Sequence, residues 1–485
     1  MSLPPAHLSI LDLPFELISL VFILCLPIRR RVRPHPDHPP LSLAGVCSRW
    51  RAIALAIPEL WTSMLIEFNE LVLYEEISRL FDPSLATPPV HPTALLMNAW
   101  FARSAGYPLS VSLNCVENSF IPHGVLDTMA LYQTQWGRIE LNVPEADLSA
   151  FDRITVGPFP LLETLSTHIT DTEELSYLID LDSKFIRYSP RLKALDLSEY
   201  AFTLTSLRTL TWTPQNLTAL QLRCDATRDP VPATEGPFSV VLEHFPGLLH
   251  LDIFVDYFSR ELPVERLSTP FQTLMLNDDA MLDYLCAPTL QYLHVLAIMT
   301  TTPLLTFLAQ SQCRLSTLSI SVDFRISNDD WHAVLAALPD LRTLLLRLPQ
   351  SSPVMQSCNT LLGGAASDQV PNLQTLVMSQ DLTDSDPFPY TQWIELLRTR
   401  NDTILYADLF VRSWQPPLPE INTQLGAGLG AIKVRIFFET SPAHDYTQDV
   451  IGDLDFPFFS GPHFKDVEPG DIRPYYFSPF SNGAM

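Results

Sequence analysis

A six-residue word, L-x-x-L-x-L, recurs down the middle of the 485-residue chain and limits its fold more than any other feature. It reads Leu192-Lys-Ala-Leu195-Asp-Leu197 and Leu217-Thr-Ala-Leu220-Gln-Leu222. With apolar substitutions it returns as words ending at Ile253, Leu276, Val295, Ile320, Leu346 and Met378. A weaker copy, Leu162-Glu-Thr-Leu165, ends in Thr167, where an apolar side chain is expected. Alternate leucines on a strand bury one face. A single strand cannot cover that face, but a stack of like neighbours can.

The second leucines of these words stand 19 to 32 residues apart, within or near the roughly 20–29 residue period of leucine-rich repeats. Between them, 171–181, 239–244, 278–285, 303–309 and 328–338 carry apolar residues at three- and four-residue spacing, which predicts short helices. The fold class expected is therefore α/β: a curved leucine-rich-repeat solenoid over 108–400, with parallel strands on the concave face and short helices outside. The asparagine that follows the third leucine in such repeats is missing from most words, and Asn277 comes one position too early. Strand-like words at Pro108-Leu-Ser-Val-Ser-Leu-Asn114 and Ile139-Glu-Leu141 place strands ahead of residue 150.

Residues 1–62 have a different texture. Leu13-Pro14-Phe15-Glu16-Leu17-Ile18 has the makings of a helix start, with Pro14 presetting φ and Glu16 complementing the dipole. From Leu17 to Leu26 Ser19 is the only polar residue, and a helix apolar all round must be covered all round. A neighbouring helix is expected to cover Leu17, Leu20, Val21 and Leu24, leaving Ile18, Phe22 and Cys25 for something else. A second helical stripe, Leu43, Val46, Cys47, Trp50 and Ile53, follows a basic, proline-rich insert at 27–40, and Pro58-Glu-Leu60-Trp61 starts a new turn. So small a unit has more apolar surface than its own core can use.

These residues resemble an F-box. The resemblance rests on Leu13-Pro14-x-Glu16-Leu17-Ile18, then Val46-Cys47-x-x-Trp50-Arg51-x-Ile53-Ala54, then Pro58-x-Leu60-Trp61. With the insert and Arg103-Ser104-x-x-x-Pro108-Leu109-Ser110-Val111, the chain is similar to F-box proteins of mushroom-forming fungi that carry degenerate leucine-rich repeats. The resemblance implies an all-helical module over 1–62, a linker with the first helical elements over 63–107, the solenoid over 108–400, and a C-terminal cap or tail over 401–485. It implies a substrate-recognition adaptor: the module docks a Skp-type linker of a cullin–RING ubiquitin ligase, and the solenoid holds a client protein. Linker contact would then fall to Leu13, Pro14, Leu17, Ile18, Phe22, Val46, Cys47 and Trp50.

In an L-x-x-L-x-L strand the residues between the leucines are expected to look out from the concave face. This gives Asp252, Met275, Tyr292, His294, Ser319 and Leu345 as client-binding candidates, in a row that also takes in Asp196, Gln221 and Val377. An alternative is a leucine-rich-repeat interaction scaffold with no ubiquitylation role; another is an enzyme hidden in the C-terminal region.

Charge narrows the partners. Thirty basic against 54 acidic residues give −24 and a pI near 4.7, which repels phosphate backbones and anionic lipid, so neither nucleic acid nor membrane is expected. The apolar run 17–28 is too short to span a bilayer and follows acidic, not basic, residues. Seven scattered cysteines with no C-x-x-C spacing read as reduced thiols in the cytoplasm or nucleus. No phosphate-binding glycine loop, G-x-S-x-G or H-E-x-x-H is present, so neither an active site nor a metal or cofactor is expected. His35 and His38 read as a solvated loop. In the tail, Val434-Arg-Ile436-Phe437-Phe438 reads as a strand, and the aromatic clusters at 456–459 and 475–477 are expected to cap the last repeat.

Overall fold

A computed structural model describes residues 13–27, 32–68, 91–115, 119–122, 124–169, 184–202, 207, 216–225, 237–256, 266–322, 326, 328–348, 370–381, 390–400, 402–412 and 432–439. The helix expected over 171–181 and the aromatic clusters of the tail lie outside these residues. The architecture is mixed α/β, with short helices and a large parallel sheet of fourteen strands. Two compact units divide the chain: Met1–Ala201 with Leu210–Leu217, and Phe202–Thr209 with Thr218–Met485.

The first unit opens with helices α1 (Phe15–Leu24), α2 (Leu41–Val46) and α3 (Ser48–Ala56), then a 3-10 turn at Pro58–Trp61. Pro14, at φ −54°, leads into α1, and the sulfur of Cys47 caps α3 by accepting the Trp50 N–H at 3.4 Å. Strands β1 (Ser63–Phe68), β2 (Leu109–Cys115), β3 (Trp136–Val143), β4 (Thr164–Ile169) and β5 (Ala194–Phe202) pair in chain order, all parallel. Helices α4 (Pro92–Phe101), α5 (Val125–Leu131), α6 (Glu145–Ile154) and α7 (Lys184–Arg187) lie between them in sequence. The strand β1 stands where only a linker and helical elements are expected. Its Leu65 N–H donates to the Val32 carbonyl at 2.8 Å, and Val32 is fully buried, so this part of the proline-rich insert is anchored against β1. Arg33 adds an ion pair to Glu67 at 2.7 Å.

Aromatic side chains fill this unit. Trp61 donates its indole N–H to the Ala54 carbonyl at 2.9 Å, and Trp100 donates to Ser63 at 3.2 Å. Their rings meet edge-on at 4.8 Å, with Arg103 over the Trp61 face. Trp136 stacks between Phe151 and Phe159.

The second unit runs β6 (Ala219–Asp225), α8 (Pro237–His244), β7 (His250–Asp256), β8 (Leu267–Ser268), β9 (Thr273–Leu276), a 3-10 turn at Asp279–Tyr284, β10 (Leu285–Cys286) and β11 (Tyr292–Ile298). It continues with α9 (Thr302–Ser311), β12 (Thr317–Val322), α10 (Asn328–Ala336), β13 (Thr343–Leu348), β14 (Thr375–Asp381), α11 (Tyr390–Thr399), β15 (Tyr406–Arg412) and β16 (Lys433–Glu439). Apart from β8 and β10, which pair with each other, these strands form parallel neighbours in chain order. The second leucines align as Leu251, Leu274, Leu293, Leu318, Leu344 and Leu376, and the row ends in Ala407 and Val434.

Every L-x-x-L-x-L word lies on a strand. Register is fixed just ahead of most of the repeat strands, where one carbonyl accepts two successive N–H groups from the next segment. Leu249 takes those of Gln272 and Thr273; Gln272 takes those of Gln291 and Tyr292; Ser316 takes those of Arg342 and Thr343. Of the expected helices, 239–244, 303–309 and most of 328–338 are helical, while 278–285 forms the 3-10 turn and enters β10.

Thr167, the misfit in the weakest word, occupies the buried slot opposite Leu141, and its hydroxyl has no hydrogen-bond partner. Thr167→Val keeps the shape and removes a desolvated hydroxyl, so it should stabilise the protein by about 1 kcal/mol. A shift of the urea midpoint to higher concentration checks this; an unchanged or lower midpoint contradicts it.

Candidate functional site

The helix α1, FELISLVFIL, is too apolar to lie on a surface uncovered. Only one of its faces is covered. Ile18 and Phe22, four residues apart, are fully buried, and the Phe22 ring sits 4.9 Å from that of Trp50 on α3. The other side carries Leu17, Leu20, Val21 and Leu24, which are 49%, 53%, 36% and 74% exposed, and Phe15, in the first turn above the covered side, is 48% exposed. The spacing of Leu17, Leu20, Val21 and Leu24 draws a stripe along the helix. Val46, at the end of α2, is 61% exposed.

The expected division of α1 is therefore reversed for Ile18, Phe22, Leu20, Val21 and Leu24, while Cys25 and the docking candidate Leu17 are exposed as expected. Ile18 and Phe22, expected in the docking surface, form the inner seam, where the Phe22 ring packs on that of Trp50. Leu17, Leu20, Val21 and Leu24, expected against a neighbouring helix, face outward. Among the other predicted docking residues, Pro14 and Val46 are exposed, and Leu13, Cys47 and Trp50 are half-buried. The sulfur of Cys47 is engaged as the α3 cap, and Trp50 packs inward, so both support the surface more than they form it. Phe15, Leu20, Val21 and Leu24 are additions that the motif does not single out; their signal is the scarcity of polar residues in α1, where Glu16 and Ser19 stand alone.

Exposed apolar patches of this extent on a folded protein mark sites of association. Covering one such side chain contributes about 1.5–3 kcal/mol before ordering costs. Glu16 on α1 and Arg49 and Arg51 on α3 are exposed charged residues of the same helical module.

The residues expected to hold a client meet a different environment. Pairing brings Asp252, Met275, His294, Ser319, Leu345 and Val377 into one row across successive strands, with Tyr292 two positions before His294. Yet Met275, Tyr292, His294, Ser319 and Leu345 are all buried, and Asp252 alone of the expected set is half-exposed. This corrects the expectation of an open concave row. Strands reading Leu344-Leu345-Leu346 and Leu376-Val377-Met378 are apolar without alternation, the pattern of parallel strands buried on both faces. His294 shares a hydrogen bond with Ser319 through Nδ1 at 2.8 Å, and burial lowers its pKa to about 4.

In the first unit a hydroxyl, an imidazole and a carboxylate meet. Ser166 donates to Asp196 Oδ2 at 2.9 Å and lies 2.9 Å from His168 Nε2, which is 3.2 Å from the same carboxylate oxygen. Serine and aspartate here share one imidazole nitrogen. A nucleophile relay needs them on opposite nitrogens, so this cluster is an internally bonded strand-to-strand tie. No group of three or more potential metal ligands occurs among the described residues, nor is any helix among them long and apolar enough to cross a membrane. No family model matches the chain, and no curated protein matches it.

His294 makes stability depend on pH in a definite direction. Its folded pKa lies below the ordinary 6.5, so the unfolded chain binds more protons between about pH 6.5 and 4, and stability falls as pH falls through that window. Between pH 7.5 and 5 this group should cost about 2 kcal/mol. His294→Gln should lose less stability over the same interval; equal losses, measured by urea unfolding at both pH values, would contradict the assignment.

Proposed function

We propose that the chain is a substrate-recognition adaptor of a Skp–cullin–F-box ubiquitin ligase, working in the cytoplasm or nucleus. The outward face of α1 carries this reading. Five apolar side chains of one helix are 36–74% exposed, in a module whose own core is already made by Phe22, Ile53 and Leu60, with half-buried Trp50 packed on Phe22. A Skp-type linker supplies an apolar surface to cover them, as the F-box resemblance implies, and connects the chain to a cullin–RING ligase.

The repeated strands serve as the client-holding part. Support comes from their order: each pairs beside its predecessor, with short helices in the connections, as a leucine-rich-repeat solenoid requires. The buried row through His294 then acts as a rigid support, and client contact falls to exposed positions around it. No catalytic group is assigned to this chain. Its contribution to ubiquitin transfer is proximity and orientation.

The decisive variants lie outward, where the core is untouched. Leu17→Asp and Leu24→Asp should each weaken binding of purified Skp-type linker by roughly ten- to a hundredfold, since each removes a covered leucine worth about 1.5–3 kcal/mol. Circular dichroism and the unfolding midpoint should remain those of the parent chain. Trp50→Ala serves as the contrast and should lower the unfolding midpoint through its lost packing on Phe22. Full linker affinity in both aspartate variants, or no linker binding by the parent chain, sinks the proposal.

A further inference from the structure

We propose that Cys286 and Cys313 form an oxidative modification site, closing a disulfide between β10 and the turn after α9. This inference stands apart from the docking proposal. The Cys286 sulfur lies 3.8 Å from the Gln310 carbonyl, in an exposed setting. The next residue ties the same two segments: the Ala287 N–H donates to Ser311 Oγ at 3.0 Å. Helix α9 is capped by Gln312, whose φ of 49° is left-handed and whose N–H reaches the Leu308 carbonyl at 3.0 Å. Cys313 follows three residues after the carbonyl that Cys286 touches, immediately past this tight ending, and Cys286 is a charge neighbour of its thiol. A disulfide needs Cα atoms about 4–7 Å apart. Both cysteines are free and partly exposed.

Burial pushes the Cys313 thiol up to about 11, and the neighbouring Cys286 adds to the rise. Cys313 thus holds little thiolate, and the first oxidation is assigned to Cys286, whose sulfur contact lies in an exposed setting. The oxidant is a hydroperoxide. The Cys286 thiolate attacks its terminal oxygen, the O–O bond breaks, and a sulfenic acid forms as water or an alcohol departs. The Cys313 sulfur then attacks the sulfenic sulfur. An S–S bond forms, the S–O bond breaks, water leaves, and the two thiols have given two electrons to the peroxide. The closed bridge would hold together the segment containing β11 and α9, the centre of the second unit's strand row.

The test treats the full chain with hydrogen peroxide, blocks remaining thiols by alkylation, and maps tryptic peptides by mass spectrometry without reduction. The expected result is one linked peptide pair joining Cys286 and Cys313, lighter by two hydrogens than the sum of the reduced peptides. Reductant should abolish it. In Cys313→Ser, Cys286 should instead progress to sulfinic acid. Over-oxidation of Cys286 in the parent chain without a linked pair would overturn the proposal. So would two unmodified thiols, or pairing of either cysteine with another partner.

Discussion

Stacking in this protein depends on a shared carbonyl. Ahead of a strand, one backbone oxygen takes two consecutive N–H groups from the following segment, and the recipient segment repeats the arrangement with its own successor. Because the side-chain period of a strand is two, a slip of one residue would turn every leucine outward. The paired bonds prevent that slip. Leucine 251, 274, 293, 318, 344 and 376 can therefore form one continuous buried row although the connecting segments differ in length and kind. The 3-10 turn at Asp279–Tyr284 and the helix at Thr302–Ser311 serve the same purpose in successive connections. Tolerance of irregular connections follows from placing the register control in the backbone.

The strand words were legible because Leu, Ile and Val at alternate positions have few other uses at that spacing. Less legible were β1 and β15, SMLIEF and YADLFVR, which lack the leading leucine of the word. Pairing with β2 and with β14 and β16, not local pattern, makes them strands. The candidate client row was placed in the right register but given the wrong environment. Leu344-Leu345-Leu346 and Leu376-Val377-Met378 already showed no polar alternation, which is how strands covered on both faces read. For α1, composition alone revealed that one face must be surplus; which face it was depended on the contact of Phe22 with Trp50, a tertiary fact.

The two parts of the chain handle apolar surface in opposite ways. Repeated strands bury theirs against their neighbours, even at positions between the leucines. The N-terminal helices leave an apolar stripe open while closing a small aromatic core beneath it. An exposed Leu24 costs the free chain solubility and gains it no packing. Such an arrangement is readily understood if a second protein covers the stripe, and under the proposed function that protein is a Skp-type linker.

Hydroxyl-radical footprinting of the intact chain, with and without a Skp-type linker, tests that reading at the side chains themselves. Phe15, Leu17, Leu20 and Leu24 should label readily in the free chain and become protected when the linker is added. Buried Phe22 should label weakly in both states, and Met275 and Met378 in the strand row should not change. Equal labelling of the α1 stripe with and without linker would contradict the account, as would protection confined to the strands.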